Sequence, residues 1–292
     1  MPEDTSLAVV SGASSGIGQA TARTLAVRGW HVLGGVRREA DGAGLAADGI
    51  EPVLLDVTDP AHIARLAERV ERDPEGRRLG ALVNNAGTAI NAPVEAIPLA
   101  EWRRQFDVNF FGHVAMTQAL LPSLLKARGR IVNVSSIGGR VAGPLFGAYA
   151  ASKFALEAMS DSLRREVGRL GVRVIVVEPG AIATPIWAKG EATASGLVDS
   201  MSEEQRRRYA DVIAAGLKQA ESLARSGIAP SVVAETIAKA LESPKPRPRY
   251  LVGRDAKVTA AVARWLPTDQ FDRLVARSLG LPATEARGAA SG

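Results

Sequence analysis

Leu7-Ala8-Val9-Val10-Ser11-Gly12-Ala13-Ser14-Ser15-Gly16-Ile17-Gly18 is the stretch on which the reading of this chain turns. Four apolar residues without polar alternation suit a strand buried on both faces. The glycines allow a tight turn and a close approach of the backbone to a ligand. The chain then becomes amphipathic, and a helix is expected over 18–28. A helix that starts behind a glycine turn offers free N–H groups and the positive end of its dipole, so a pyrophosphate is its natural partner. Gly12, Ser14, Ser15, Gly16, Ile17 and Gly18 therefore form a candidate phosphate cradle. A purely structural turn is the competing reading. The position between first strand and first helix favours the cradle.

The same rhythm continues outward. Apolar runs at 32–36, 53–55, 81–83, 131–134, 172–177 and 250–252 alternate with helical stretches at 61–72, 99–128, 149–170 and 231–241. Strand-helix regularity of this kind implies a parallel sheet covered on both faces, wound by right-handed crossovers. The expected fold class is α/β, a single Rossmann-type doubly wound sheet of about seven strands. One domain over 1–282 is expected. Residues 181–229 break the rhythm and suit a lid over a site, with a polar helix around 202–219. Residues 254–282 form an amphipathic helical extension interrupted at Pro267. It is expected to pack on the core or a subunit, with peripheral membrane contact the sharper alternative. Residues 283–292 are small and polar and are expected to be a disordered tail.

Bulk properties remove several function classes. The 292 residues carry a net charge of +5, with 46% hydrophobic and 23% charged residues, the balance of a globular domain. There are no cysteines, which excludes disulfides, thiolate metal sites and cysteine nucleophiles. His31, His62 and His113 are too scattered for a metal site and suit ordinary surface or helix positions. The basic runs at 206–208 and 245–249 lack interleaved aromatic residues, so no nucleic-acid partner is expected. No apolar stretch is long enough to span a membrane. No signal-like segment opens the chain, and a cytoplasmic location is expected.

Other strand ends carry further candidates. Val36 stands where NAD-preferring folds place an acid for the ribose 2′-hydroxyl, and Arg37 and Arg38 follow. A forked guanidinium there can pair with a 2′-phosphate, so NADP(H) is the expected cofactor. Asp56, with Val57, can accept from an adenine amino group or cap the turn before Pro60. Ser136 lies just past the fifth strand, and Tyr149 and Lys153 share one helix face thirteen and seventeen residues later. A phenol has a pKa of about 10, which a nearby ammonium lowers towards acid–base use near neutrality. Ser136 can donate to a substrate oxygen and stabilise developing alkoxide charge.

Taken in order, the Gly12/Gly16/Gly18 turn, Asn84-Asn85-Ala86-Gly87, Asn109, Ser136, Tyr149, Lys153 and Pro179-Gly180 resemble the short-chain dehydrogenase/reductase family over roughly 7–253. The resemblance implies an oxidoreductase moving a hydride between NADP(H) and a carbonyl or secondary alcohol. It makes Tyr149 the acid in reduction and the base in oxidation. Lys153 would lower its pKa and bind the nicotinamide ribose, Ser136 would orient the substrate, and Asn109 would hold a relay water. Asn85, Ala86 and Gly87 would line the cofactor channel, while Ile182 and Thr184, beyond Pro179-Gly180, would contact the carboxamide. It also implies a homodimer or homotetramer. The segment 146–166 is similar to members that act on steroids, retinoids or other lipophilic alcohols and ketones. Ile186, Trp187 and Leu197 of the lid can offer an apolar wall. Two other readings stand beside this one: a dehydratase or epimerase using Tyr149 as base, and an NADP(H)-binding regulator without turnover.

Overall fold

In the computed structural model, which describes residues 6–282, seven parallel strands form one sheet. They are β1 (Leu7–Val10), β2 (His31–Val36), β3 (Glu51–Leu54), β4 (Leu79–Asn84), β5 (Arg130–Val134), β6 (Arg173–Pro179) and β7 (Arg249–Val252). Their order is β3-β2-β1-β4-β5-β6-β7, the expected doubly wound Rossmann arrangement. The helices are α1 (Gly16–Val27), α2 (Ala43–Ala46), α3 (Pro60–Glu71), α4 (Leu99–Phe106), α5 (Gly112–Ala127), α6 (Gly147–Val167), α7 (Pro185–Ser200), α8 (Glu203–Ser226), α9 (Pro230–Glu242), α10 (Arg254–Trp265) and α11 (Thr268–Ser278).

The apolar runs exist because neighbouring residues of each inner strand enter opposite cores. Ala8, Val10, Val83, Val132 and Ile175 pack with Ala22 and Leu25 of α1 and Val233 and Ile237 of α9. Leu7, Val9, Leu82, Ile131 and Val174 pack with Leu66 of α3 and Met116, Leu120 and Leu124 of α5. Each fully buried leucine contributes about 1.5–3 kcal/mol. β3 departs from this pattern. It is the sheet edge, its residues alternate between more and less buried, and it tolerates Pro52 for that reason. Helix starts follow local chemistry. At α3, Asp59 accepts from the Ala61 N–H at 2.8 Å and Pro60 supplies the pre-set φ of the first turn.

Two elements differ from expectation. The helix expected over 99–128 is broken into α4 and α5 by a π-helical turn, Asp107–Phe111, which holds Asn109. The excursion over 181–229 contains two long helices, α7 and α8, instead of one. Its ends are zipped together: Ile182 and Ile228 form a parallel bridge, with Ala183 N–H donating to Ile228 and Ile228 N–H to Ala181. Glu95, from the body, holds α8 by accepting from Arg208 at 2.9 Å and from the Tyr209 hydroxyl at 2.7 Å. The break at Pro267 separates α10 from α11 as expected, and Trp265 beside it is 79% exposed. The tail expected at 283–292 lies outside the described residues. No described helix is long and apolar enough to cross a membrane.

Candidate active site

The carboxyl ends of the strands open into a cleft of about 420 Å³. Gly12, Ser14, Ser15, Gly16 and Ile17 form one wall, and Arg37, Asp56, Val57, Asn85, Ala86, Gly87 and Thr184 complete most of it. Gly12 and Gly16 have φ of +66° and +57°, the left-handed region that favours glycine. Gly18 sits behind them, where a Cβ would fall 2.2 Å from the Gly12 carbonyl oxygen, so its role is to let α1 approach the turn. No side chain caps α1, and its first turn carries no acid. Its N–H groups and dipole are therefore free to meet an anion, and the cradle fits a dinucleotide pyrophosphate.

Asn85 acts differently from a simple lining residue. Its amide donates to Ser11 O at 2.9 Å and Gly12 O at 3.3 Å, which holds the glycine turn in shape. The Ser11 hydroxyl accepts from the Asn85 and Ala86 N–H groups at 2.9 and 3.0 Å. His113 also serves the cleft from behind. It is fully buried and its Nε2 lies 2.8 Å from the Ala86 carbonyl, which makes Nε2 the protonated nitrogen. Burial, helped by the charge of Lys153, pushes its pKa down to about 3, so the ring stays neutral. Sequence reasoning had left it as an ordinary helix position, because burial of a single histidine carries no spacing signal.

The two arginines after β2 separate. Arg37 lines the cleft and forms no hydrogen bond or ion pair with a described residue, whereas Val36 behind it is buried. Arg38 is not brought to the cleft. It points outward and pairs with Asp41 through Nε at 3.0 Å and Nη2 at 2.6 Å. Asp41, three residues on, supplies the competing carboxylate. Asp56 makes an Asx turn, accepting from the Thr58 N–H at 2.9 Å and hydroxyl at 2.7 Å. Burial opposes its ionisation, but the Thr58 bonds and the charge of Arg37 outweigh it and hold the carboxyl below its usual range. Asp56 thus caps the turn before Pro60, and the N-cap of α3 itself is Asp59. Thr58, Thr88, Arg104 and Asp107 also line the cleft and were not anticipated.

Ser136, Tyr149, Lys153 and Asn109 come together beneath the cleft, all buried. The path between cleft and cluster is a hydrogen-bonded chain. Thr88 lines the cleft, and Asn109 brackets its backbone, accepting from its N–H at 2.9 Å and donating to its carbonyl at 3.0 Å. The Asn109 amide also donates to Ser152 at 3.1 Å, and the Ser152 hydroxyl donates to the Tyr149 carbonyl at 2.7 Å. With both amide protons committed, Asn109 is a brace first. Ser136 starts a short turn, accepting from Gly138 N–H at 3.0 Å, and its side chain is near enough to Tyr149 to favour the phenolate. Lys153 donates to the Val134 carbonyl at 2.8 Å and lies 5.9 Å from the centre of the Tyr149 ring.

The electrostatics differ from the expected pattern. Burial raises the Tyr149 phenol above its ordinary value, and the nearby Ser136 side chain opposes that only in part. The expected depression by Lys153 does not appear, because the ammonium is turned to Val134 and is itself costly to bury. Burial pushes Lys153 down to about 8 against the pull of Glu157. Behind this pair Glu178, fully buried on β6, accepts from Arg140 at 2.9 Å. Burial and the nearby Glu157 push its carboxyl up to about 7. Pro179, Gly180 and Ile182 are buried behind Thr184. On the open side, Trp187 packs edge-on to both Tyr149 and Phe146, with ring centres 6.3 and 6.1 Å away.

Residues 6–195 match the family model described as short chain dehydrogenase. The chain is 31% identical to NADPH-dependent 3-dehydrocapnine reductase of Ornithobacterium rhinotracheale, over 93% of this chain and 96% of that one. It is 37% identical to human retinol dehydrogenase 16, over 91% of this chain and 86% of that one. A short chain dehydrogenase from Burkholderia cenocepacia, solved in complex with NADP, superposes with a TM-score of 0.73 at 27% identity, covering 97% of this chain and all of that one. The chain belongs to the short chain dehydrogenase family of nicotinamide-dependent oxidoreductases.

The burial of Lys153 yields a stability prediction. Its pKa is about 8 folded against 10.5 in the unfolded chain. Above about pH 10.5 the group is neutral in both states and costs nothing. As pH falls to 8 the unfolded chain takes up the proton first, and below 8 the folded protein carries a buried ammonium at full cost. Lys153→Met is expected to unfold at higher urea than the parent at pH 7, by about 1–3 kcal/mol. The gain should shrink as pH approaches 10.5. A variant less stable than the parent at pH 7 would contradict the assigned cost.

Proposed function

We propose that this chain is an NADP(H)-dependent oxidoreductase acting on a lipophilic ketone or secondary alcohol. The observation that carries this reading is the buried Ser136–Tyr149–Lys153 cluster beneath a cleft that suits a dinucleotide. NADP(H), when bound, supplies or accepts the hydride. The chain's own residues handle the proton and the geometry. Tyr149, raised by burial, stays protonated at neutral pH, which is the form that donates to a carbonyl oxygen during reduction. Ser136, beside the same hydroxyl, is positioned to hold that oxygen. Lys153, one helical turn along α6, would bind the hydroxyls of the nicotinamide ribose and supply a positive charge there. Asn109 keeps Thr88 and the base of Tyr149 in register and would hold the water that links Lys153 to solvent. This triad favours turnover over the regulator reading, since a binding module has no use for it.

NADP(H) preference is supported by Arg37, which lines the cleft beside a buried Val36, in the field of Asp56 but hydrogen-bonded to no described residue. Thr184, Ile182 and the Pro179-Gly180 turn would receive the carboxamide. The lipophilic substrate is supported by a second cavity of about 190 Å³, lined by Ala92, Pro93, Leu145, Phe146, Val198 and Ile213 among others. Phe146 joins it to Trp187 and so to Tyr149. The excursion carrying α7 and α8 would act as the lid over it. Phe111 and Phe154, exposed at 56% and 44%, support association of copies of this chain.

Three measurements test this reading. Arg37→Ala should reduce the ratio of kcat/KM for NADPH over NADH by about tenfold or more, the scale of a lost charged contact. Equal efficiency of the parent with both cofactors would overturn the preference. With NADPH and a series of ketones of increasing apolar length, kcat/KM should rise with length. Tyr149→Phe should lose at least about 100-fold in kcat while NADPH affinity holds. Full turnover in that variant would remove the mechanism.

A further inference from the structure

Gly180-Ala181-Ile182-Ala183-Thr184 leaves β6 as irregular chain, and its polar groups are tied down one by one. Gly180 N–H donates to Val252 O at the end of β7, and Ala183 N–H donates to Ile228 O. Ile228 N–H donates back to Ala181 O, and Trp187 donates to Ile182 O at 3.0 Å. The remaining tie comes from outside the nucleotide-binding core. Asp255, in the first turn of α10, accepts from the Ala181 N–H at 2.7 Å. Among the donors of the segment, these ties leave the Ile182 N–H and the Thr184 N–H and hydroxyl without a described partner. In the Ile182–Ile228 bridge the Ile182 N–H points away from the bridged side.

The carboxylate of Asp255 is built into this corner. A Cβ at Gly180 would fall 2.1 Å from Oδ2, and one at Gly253 would fall 2.3 Å from Oδ1. Gly253 also has φ +108°, in the region that favours glycine. Two glycines from two strand ends thus make room for one side chain, and that side chain holds one backbone N–H. A charge-assisted bond of this kind is stronger than a neutral one.

We propose that Asp255 is a positioning residue: it holds the 180–184 segment so that Ile182 and Thr184 present their donors to the nicotinamide end of the cofactor. The proposal rests on the reading that this segment receives the carboxamide. It gives the C-terminal extension a part in the site. Loss of Asp255 frees the Ala181 N–H and loosens the segment at its start. The adenosine end of the cleft, held by β1, β2 and β4, is untouched.

The test compares NADP⁺ with 2′-phospho-ADP-ribose, which lacks the nicotinamide, by calorimetric titration of the full chain. The ratio of the two affinities isolates the nicotinamide end. In Asp255→Ala the ratio should shrink by about tenfold while 2′-phospho-ADP-ribose binds as in the parent, the size of one lost charged hydrogen bond. Asp255→Asn, whose amide oxygen can accept the same N–H, should recover most of it. Thr184→Val serves as the control for the underlying reading. If Thr184→Val leaves the ratio unchanged, the assignment of the segment to the carboxamide fails. If Thr184→Val shrinks it and Asp255→Ala does not, the role of Asp255 is overturned. An equal loss of both ligands in Asp255→Ala, with no recovery in Asp255→Asn, also overturns it and leaves a purely structural residue.

Discussion

The Ser11 hydroxyl stands where the strand order of the sheet reverses. β1 continues to β2 on one side and β4 on the other, so the chain segments leaving β1 and β4 diverge above it. Ser11 accepts from two backbone N–H groups beyond β4, and Asn85 returns two contacts to the backbone beyond β1. This brace sets the spacing between the glycine turn and the Asn85–Gly87 segment. The cleft width, the exposure of the α1 N-terminus and the place of Thr88 all follow from it. The buried His113 adds a third point of support through Ala86.

Below that brace the protein places groups that burial disfavours. Tyr149, Lys153 and Glu157 follow one another along α6, Glu178 approaches Glu157 from β6, and each is displaced in pKa or committed to an ionic partner. Arg249 of β7 links Glu157 to Asp161, and Arg140 takes Glu178. Such a network contributes little net stability, but breaking one member leaves an uncompensated charge. It forms part of the floor on which Tyr149 and Lys153 stand. The Arg140 and Glu178 pair carries no sequence signal, because 38 residues separate them.

Legibility in the sequence followed the range of the interaction. The inner strands were legible because two-sided burial forces uninterrupted apolar runs, and β3 was less so because an edge strand alternates. Tyr149 and Lys153 were legible as a pair because four residues along a helix is a local relation. Their electrostatics were not, since desolvation depends on every layer packed above them. α7 was overlooked because its small residues make no apolar stripe, and its position comes from contacts such as Gly190 against the Ala89 carbonyl. The π-helical turn at Asn109 was overlooked because one extra residue in a turn leaves the composition unchanged. Arg37 and Arg38 looked alike until Asp41 was seen to capture the second. Asp255 was hidden by 74 residues of separation from Ala181.

The tryptophans give this architecture an optical signature. Of the four in the chain, Trp187 is the one with a ring contact to Tyr149, and its indole N–H is fixed to a backbone carbonyl. Trp30 is packed against one of the cores flanking the sheet, and Trp265 stands almost fully in solvent beside Arg264. A quencher in water meets Trp265 freely, whereas Trp187 is half-buried against the rings of Phe146 and Tyr149. Emission that survives quenching therefore comes from indoles inside the fold, and movement of the excursion away from Tyr149 registers as a loss of that shielded light.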